Sequence, residues 1–188
     1  PDLTDYVRAH AYQVNQAALA DEGWPLVDER TQALLGKIRA AGVPLGEYVD
    51  GKIYYGIKTG LNEAFVIDEA VRERLIAADP KSAEVIKPFL AGRDVKRYIP
   101  PKANRYLIFF EKGVSNKEGS GYHDKWEWIE HNYPVIAAHL QPFGVAAKKR
   151  CDKGDYWWEL RACDYYSRFE SPKLIFPDIA PRPNFTID

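Results

Sequence analysis

The chain has 188 residues, 46% of them hydrophobic, and a formal net charge of −1. This length can bury the core of one large domain or two small ones, and the near-neutral charge excludes a protein that binds nucleic acid indiscriminately through a large positive excess. No apolar run approaches the roughly 18 residues of a membrane helix, and no signal-peptide pattern opens the chain, so the cytoplasm is the expected compartment.

Cysteine and methionine usage adds two expectations. Cys151 and Cys163 are the only cysteines, so neither a disulfide framework nor a four-ligand zinc site is predicted, and both thiols are expected to be reduced. The chain begins at Pro1, contains no methionine and stops directly after the strand-like residues 184–188. We therefore expect it to be a fragment of a longer protein.

The first predicted element is a helix that begins after Asp28, a residue type that favours the N-cap position. Its apolar side chains recur at helical spacing, and Gly42 with a following proline ends it. Residues 1–44 are accordingly interpreted as an N-terminal helical lead-in. The next predicted element is a β-hairpin of residues 52–57 and 64–67, in which turn glycines supply positive φ.

Helices and strands follow each other irregularly over the rest of the chain. Asp68 is predicted to cap a short helix, and Asp79-Pro80 to begin another that ends at Gly92. The later predicted elements are a strand over residues 105–110, a polar loop over 112–121, a helix over 125–140, and strands over 173–179 and 184–187. This order predicts an α+β fold with a mixed or antiparallel sheet and several packed helices.

Lys58 and Thr59 stand between two glycines, which suggests a phosphate-binding loop. A Walker-type loop needs glycine directly before its lysine, whereas Ile57 precedes Lys58, and the apolar run after Asn62 is typical of a strand. A nucleotide-binding loop is therefore not predicted. Two roles stay open for Lys58, Thr59 and Asn62: contacts to phosphate and base edges from an exposed turn, or turn chemistry alone.

Positive charge is concentrated in two stretches of this nearly neutral chain. The basic residues of the first stretch are Arg93, Lys96, Arg97, Lys102 and Arg105, with Asp94 as its one acidic residue. Those of the second are Lys148, Lys149, Arg150 and Lys153, against Asp152. Such segregation favours a basic face that meets a polyanion, and a solvated surface is the alternative. Arg93 and Asp94 could equally form a pair that stabilises the fold.

The aromatic segment that follows the second basic stretch contains expected core residues and one arginine with two possible roles. Trp157 and Trp158 are expected to lie in the core, because large aromatic side chains dominate protein interiors. Arg161 could read a base edge with its bidentate guanidinium or could be a buried partner of Glu159. The spacing does not separate these two roles.

The chain offers no recognisable catalytic site. A metal-dependent nuclease of the PD-(D/E)xK type needs Glu or Lys downstream of Asp178, and neither follows. The sequence "IPPK" at residues 99–102 lacks the amide and the aromatic ring of an amino-methyltransferase loop. His123 and His131 have no nucleophile at a fixed spacing, and a lone histidine is more often structural. We assign no catalytic residue and no metal ligand.

Five segments, in order, resemble the TaqI-type specificity domain, the target-recognition part at the C-terminal end of adenine-specific DNA methyltransferases and fused type II restriction–modification enzymes. The segments are "GIKTGLNEAFVID", "LIAADPKSAEVIKPFLAGRDVKRY", "YPVIAAHLQPF", "WWELR" and "PKLIFPDIA". The resemblance covers most of residues 45–188 and extends to the large methyltransferases of phage-defence systems. The catalytic half of such enzymes has no counterpart in these residues.

The resemblance implies that residues 45–188 are a target-recognition domain, truncated at its C-terminal end, that docks on double-stranded DNA and selects the sequence. The parent chain would carry a separate catalytic domain that binds S-adenosylmethionine and methylates a flipped adenine, so no cofactor is expected in this fragment and the fragment itself is expected to be non-catalytic. The predicted DNA-binding residues are Lys58, Thr59, Asn62, Arg93, Lys96, Arg97, Lys148, Lys149, Arg150 and Arg161. The alternative is a protein-interaction domain that docks a partner subunit of such a complex.

Overall fold

The computed structural model describes residues 2–19, 21, 23–24 and 27–188. The chain divides into two units, Pro1–Tyr55 and Gly56–Asp188. The boundary therefore lies further along the chain than the predicted boundary after residue 44.

The first unit consists of short helices with capped ends. Helix α1 spans Leu3–His10, α2 spans Glu29–Ala41 and α3 spans Leu45–Tyr48. The predicted cap of α2 is confirmed, because the Asp28 carboxylate accepts a hydrogen bond from the Thr31 N–H at 2.9 Å and Gly42 follows the last helical residue. No described residue of this unit is buried.

In the second unit, a three-stranded antiparallel sheet lies at the centre of the fold. The strands are β1 (Val66–Asp68), β2 (Ile86–Phe89) and β3 (Arg105–Ile108), and β3 is in the middle. Val66 pairs with Leu107 on one side of β3. A separate antiparallel pair joins β4 (Leu174–Ile175) to β5 (Thr186–Ile187). The predicted α+β class is confirmed, and the sheets are antiparallel rather than mixed.

Two predictions before the central strand are wrong. The hairpin does not form, because residues 52–59 have no strand structure and Asn62–Phe65 is a helical turn, α4. Helix α5, Glu69–Ala78, forms after its predicted cap, but the helix predicted after Asp79 is a 3-10 turn, Pro80–Glu84, followed by β2. Pro88 explains the second difference, since proline disrupts a helix interior but is tolerated in an edge strand such as β2.

Short helices follow the sheet. They are α6 (Val114–Glu118), α7 (Lys125–Asn132), α8 (Pro134–Leu140) and α9 (Gly144–Lys149). The single helix predicted over residues 125–140 is broken at Tyr133, because a residue before proline avoids the helical conformation. The loop predicted over residues 112–121 contains α6.

The core of the second unit lies between the sheet and helices α7 and α8. Phe65, Leu107, Ile108, Ile129, Ile136 and Leu140 are among its fully buried side chains. The expected burial of Trp158 is confirmed, and its indole N–H donates to the Ser115 hydroxyl at 2.9 Å. Trp157 is partly buried against this core. Of the predicted site residues, only Thr59 and Arg150 are buried.

Candidate nucleic-acid interface

The loop around Thr59 is closed by its own side chains. Thr59 is buried, its hydroxyl donates to the Asn62 side-chain oxygen at 2.7 Å, and it accepts the Leu61 N–H at 3.1 Å. Gly60 takes a φ of +67°, which glycine adopts without strain. Thr59 is therefore a structural residue rather than a ligand contact, and Asn62 is the first residue of α4 rather than the tip of a hairpin.

Arg150 is buried beneath this loop, with 6% of its surface exposed. Its guanidinium donates to the backbone carbonyls of Thr59 and Glu159 and, at 3.0 and 2.9 Å, to those of Asp152 and Trp157. The guanidinium carbon also lies 4.1 Å from the centre of the Phe65 ring. Every terminal nitrogen is thus engaged inside the protein.

The electrostatics of Arg150 follow from this position. Burial lowers the pKa of Arg150 to about 10, so the guanidinium is still a cation at neutral pH. Its Nε atom has no hydrogen-bond partner, and carbonyl dipoles with an aromatic face replace the water that it has lost. The prediction that Arg150 contacts phosphate is corrected: this residue joins the Thr59 loop to residues 152–159.

Glu159 is a second buried charge, and it does not pair with Arg161. Its carboxylate accepts four backbone N–H groups, from Gly113, Ser115, Asp155 and Tyr156, at 2.8–3.3 Å. Arg161 lies instead 3.6 Å from the Asp152 carboxylate and has a 39% exposed side chain. Of the two roles predicted for Arg161, the buried partner of Glu159 is excluded, and the guanidinium lies where solvent and a ligand can reach it.

Four cations belong to the segments that the buried Arg150 joins, and we call Lys58, Lys148, Lys149 and Arg161 the first basic cluster. Lys58 precedes Thr59 and Lys149 precedes Arg150, so the hydrogen bond from Arg150 to the Thr59 carbonyl joins the two segments that carry these lysines. Lys148 and Lys149 lie in the last turn of α9, where positive charge also complements the helix dipole. All three lysines are exposed, and within the described chain none forms an ion pair.

The second basic cluster consists of Arg93, Lys96, Arg97 and Lys102. Of the two roles left open for Arg93, a fold-stabilising ion pair with Asp94 does not form, because the ion-pair partner of Asp94 is Arg105 on β3. Burial by itself would raise the pKa of Asp94, but the hydrogen bond from the Ala91 N–H and the Arg105 charge lower it, with a smaller contribution from Arg93. Arg93 is exposed. The one carboxylate of this stretch is thus committed to the fold.

Residues 96–99 form a tight turn that projects from this cluster. Lys96 and Ile99 are bridged as antiparallel partners, and Tyr98 has a φ of +58°, which is rare for a residue other than glycine. The Arg97 guanidinium lies over the Tyr98 ring at 4.8 Å and donates to its hydroxyl at 3.2 Å. Lys96 donates to the Arg93 carbonyl at 3.1 Å.

An open depression of about 580 Å³ lies beside this turn. Its lining residues are Arg93, Asp94, Lys96, Ile99, Pro100 and Lys102. Sequence reasoning selected Arg93, Lys96 and Arg97 but omitted Tyr98 and Lys102 as site residues. Lys102 could have been selected from its position in the first basic stretch of the sequence. Tyr98 could not, because no sequence pattern indicates its positive φ.

Three further features of the described chain concern its thiols, its potential metal ligands and its potential membrane helices. Cys151 is an exposed free thiol and Cys163 a partly buried one. No group of three or more His, Cys, Asp or Glu side chains among the described residues could hold a metal ion. In the same residues, none of the helices has both the length and the apolar character needed to cross a bilayer.

No protein-family model matches the chain, and none of the curated proteins matches it significantly.

Proposed function

We propose that the chain is the sequence-specific DNA-recognition module of an adenine-specific DNA methyltransferase from a restriction–modification or phage-defence system. One observation carries the proposal: a chain of net charge −1 holds two clusters of surface cations, and most of these cations have no carboxylate partner among the described residues. The unpaired members are Lys58, Lys96, Arg97, Lys102, Lys148 and Lys149. Cations of this kind suit the DNA backbone, since phosphate contacts fix the position of a protein on the duplex.

The near-neutral net charge makes the proposed contact local and selective. A protein that held DNA by charge alone would need a positive excess over most of its surface. Here the phosphate contacts are confined to the two clusters. A few side chains near these clusters contact the base edges and so read the sequence. The resemblance of residues 45–188 to specificity domains agrees with this division of roles. S-adenosylmethionine and the flipped adenine belong, in this proposal, to a catalytic domain of the parent chain.

The proposed base readers are Arg161 of the first basic cluster and Asn62, which is hydrogen-bonded to Thr59. The exposed guanidinium of Arg161 suits guanine, whose N7 and O6 atoms accept a bidentate pair, and Asp152 at 3.6 Å holds its orientation loosely. Asn62 is exposed, but its side-chain oxygen already accepts from Thr59. It can therefore donate to a base edge, whereas a bidentate contact to adenine would require that internal hydrogen bond to break.

The proposal is tested by the salt dependence of duplex binding. The double substitution Lys148→Ala and Lys149→Ala should weaken binding to all duplexes similarly and reduce the log–log salt slope by about 0.9 per lost phosphate contact. The matched control removes the same charge at Lys37 and Lys117, exposed lysines outside both clusters. An unchanged slope for the first pair, or an equal change for the control pair, would mean that the cluster does not bind phosphate.

A second candidate function is the docking of a partner subunit, and the first unit favours it. The apolar side chains of α1, Leu3, Tyr6 and Val7, lie at helical spacing and are exposed, as are Leu34 and Ile38 of α2. Apolar helix faces of this kind are typical of protein–protein contacts. Under this function the chain would bind the purified catalytic domain and would show no salt-dependent affinity for a duplex.

A further inference from the structure

The turn of residues 96–99 is held firmly by a distant segment of the second unit. The Tyr98 N–H donates to the Phe185 carbonyl at 2.9 Å, and the buried Thr186 hydroxyl donates to the Ile99 carbonyl at 2.6 Å. Val95, immediately before the turn, is buried. These anchors, on both sides of the tip, explain how a non-glycine residue keeps a positive φ, since such strain persists only where the surroundings over-determine the backbone.

The strained residue presents its side chain to solvent. Tyr98 is 76% exposed, although burial of the ring would have been the favourable use of a large aromatic residue. Arg97 occupies one face of the ring. Given the exposure of the side chain, much of the opposite face is open to a ligand. The fold thus stabilises a flat, solvent-facing aromatic surface at the tip of a rigid turn.

The charge around the ring limits what this surface can bind. Arg97 lies over the ring, Lys96 and Lys102 line the depression beside the turn, and Asp94 of that depression is paired with Arg105. A cationic ligand would be repelled by three positive charges. A ligand that combines a flat π face with flanking negative charge satisfies both the ring and the cations, and a nucleotide within DNA has this combination.

We infer that Tyr98 stacks on a nucleobase at a step where the DNA stack is interrupted, while Lys96, Arg97 and Lys102 hold the flanking phosphates. This inference rests on the proposed function and names the element that would contact the distorted step. An unstacked base exposes its π face, and an aromatic side chain on a rigid support can cover that face in place of the lost neighbour. A regular duplex offers no such face, so the contact discriminates distorted from intact DNA.

The test compares binding of the chain to an intact duplex and to the same duplex with a one-nucleotide gap, at several salt concentrations. We expect the wild-type chain to prefer the gapped duplex. Tyr98→Ala should weaken binding to the gapped duplex about 5- to 150-fold, the range that corresponds to one lost base–aromatic stack. The salt slope should not change, because no phosphate contact is removed.

Two further variants separate stacking from folding and from hydrogen bonding. Tyr98→Gly removes the ring but accepts positive φ without strain, so it should fold at least as stably as the wild type in thermal unfolding and still lose affinity. Tyr98→Phe keeps the ring and should bind gapped DNA within about twofold of the wild type, because the stacking face is retained.

Each contrary outcome has a distinct meaning. Wild-type affinity of Tyr98→Ala and Tyr98→Gly for gapped DNA would overturn the inference and leave the proposed function standing. A reduced salt slope in Tyr98→Ala, or an equal loss in Tyr98→Phe, would show that Tyr98 orients Arg97 rather than stacks, and would also overturn it. Absence of salt-dependent binding to either duplex by the wild-type chain would refute both the inference and the function on which it rests.

Discussion

Replacing Arg150 by alanine removes the donor of four hydrogen bonds that join separate parts of the second unit. The carbonyls of Thr59, Asp152, Trp157 and Glu159 would lose their guanidinium partner. The guanidinium would also leave the face of the Phe65 ring. We therefore expect a loss of global stability together with release of the loop that carries Lys58.

The magnitude follows from two opposing contributions. Hydrogen bonds from a charged donor contribute about 1.5 kcal/mol each or more, so four of them amount to about 6 kcal/mol. Removal of a buried cation returns part of this free energy, because burial penalises the charged guanidinium by several kcal/mol, as the lowered pKa of Arg150 indicates. The expected destabilisation is therefore about 3 kcal/mol, a large fraction of the roughly 5–15 kcal/mol of a typical domain.

Urea unfolding, followed by tryptophan fluorescence, measures this loss. With an m value of about 1.5 kcal/mol per molar urea, the midpoint should fall by about 2 M. Arg150→Lys should be nearly as damaging, because an ammonium group cannot span the four carbonyls. The matched control is Lys149→Ala, whose exposed side chain should change stability by less than about 0.5 kcal/mol. A loss below about 1 kcal/mol in Arg150→Ala, or wild-type stability in Arg150→Lys, would refute the structural role.

Two further predictions concern pH and backbone packing. Burial lowers the pKa of His139 from 6.5, so the unfolded chain binds a proton at a higher pH than the folded chain, and stability should fall as the pH drops below about 6.5. Urea midpoints measured between about pH 7.5 and 5.5 should decline in the wild type and in the exposed control His131→Gln, and should decline less in His139→Gln. Equal dependence of the midpoint on pH in the wild type and in His139→Gln would contradict the prediction. Gly154→Ala should lose about 1–3 kcal/mol of unfolding free energy, because an added Cβ would lie 2.7 Å from the Glu159 Cβ and 2.8 Å from the Leu160 carbonyl oxygen. Gly121→Ala, which meets no atom within 4 Å, is its control, and equal stabilities would show that the backbone relaxes.

Local signals in the sequence determined where several helices begin and end. Asp28 and Asp68 were predictable N-caps because a short acceptor side chain satisfies N–H groups two or three residues away. The α+β class followed from the irregular order of helices and strands. The helix predicted over residues 125–140 is interrupted at Tyr133, and Pro134 is the local sequence signal for that break.

The strands required information from elsewhere in the chain. Pro88 disfavours a helix over Ile86–Phe89, but it does not specify a strand, and the segment is extended because it pairs with β3. Strand propensity depends on such cross-strand contacts more than on the residue itself. In the same way, the turn glycines at Thr59 suggested a hairpin, whereas β1 pairs with β3 instead.

The concentration of positive charge in two stretches is visible in the sequence, but the role of each charge depends on the tertiary structure. Lys148, Lys149 and Arg150 are consecutive cations, yet two are exposed and the third is enclosed by carbonyls, one of them 91 residues away. Tyr98 acquires its positive φ and its exposure from hydrogen bonds to residues 185–186. Burial and backbone strain are set by contacts between segments far apart in the chain, and for that reason no local pattern could assign these roles.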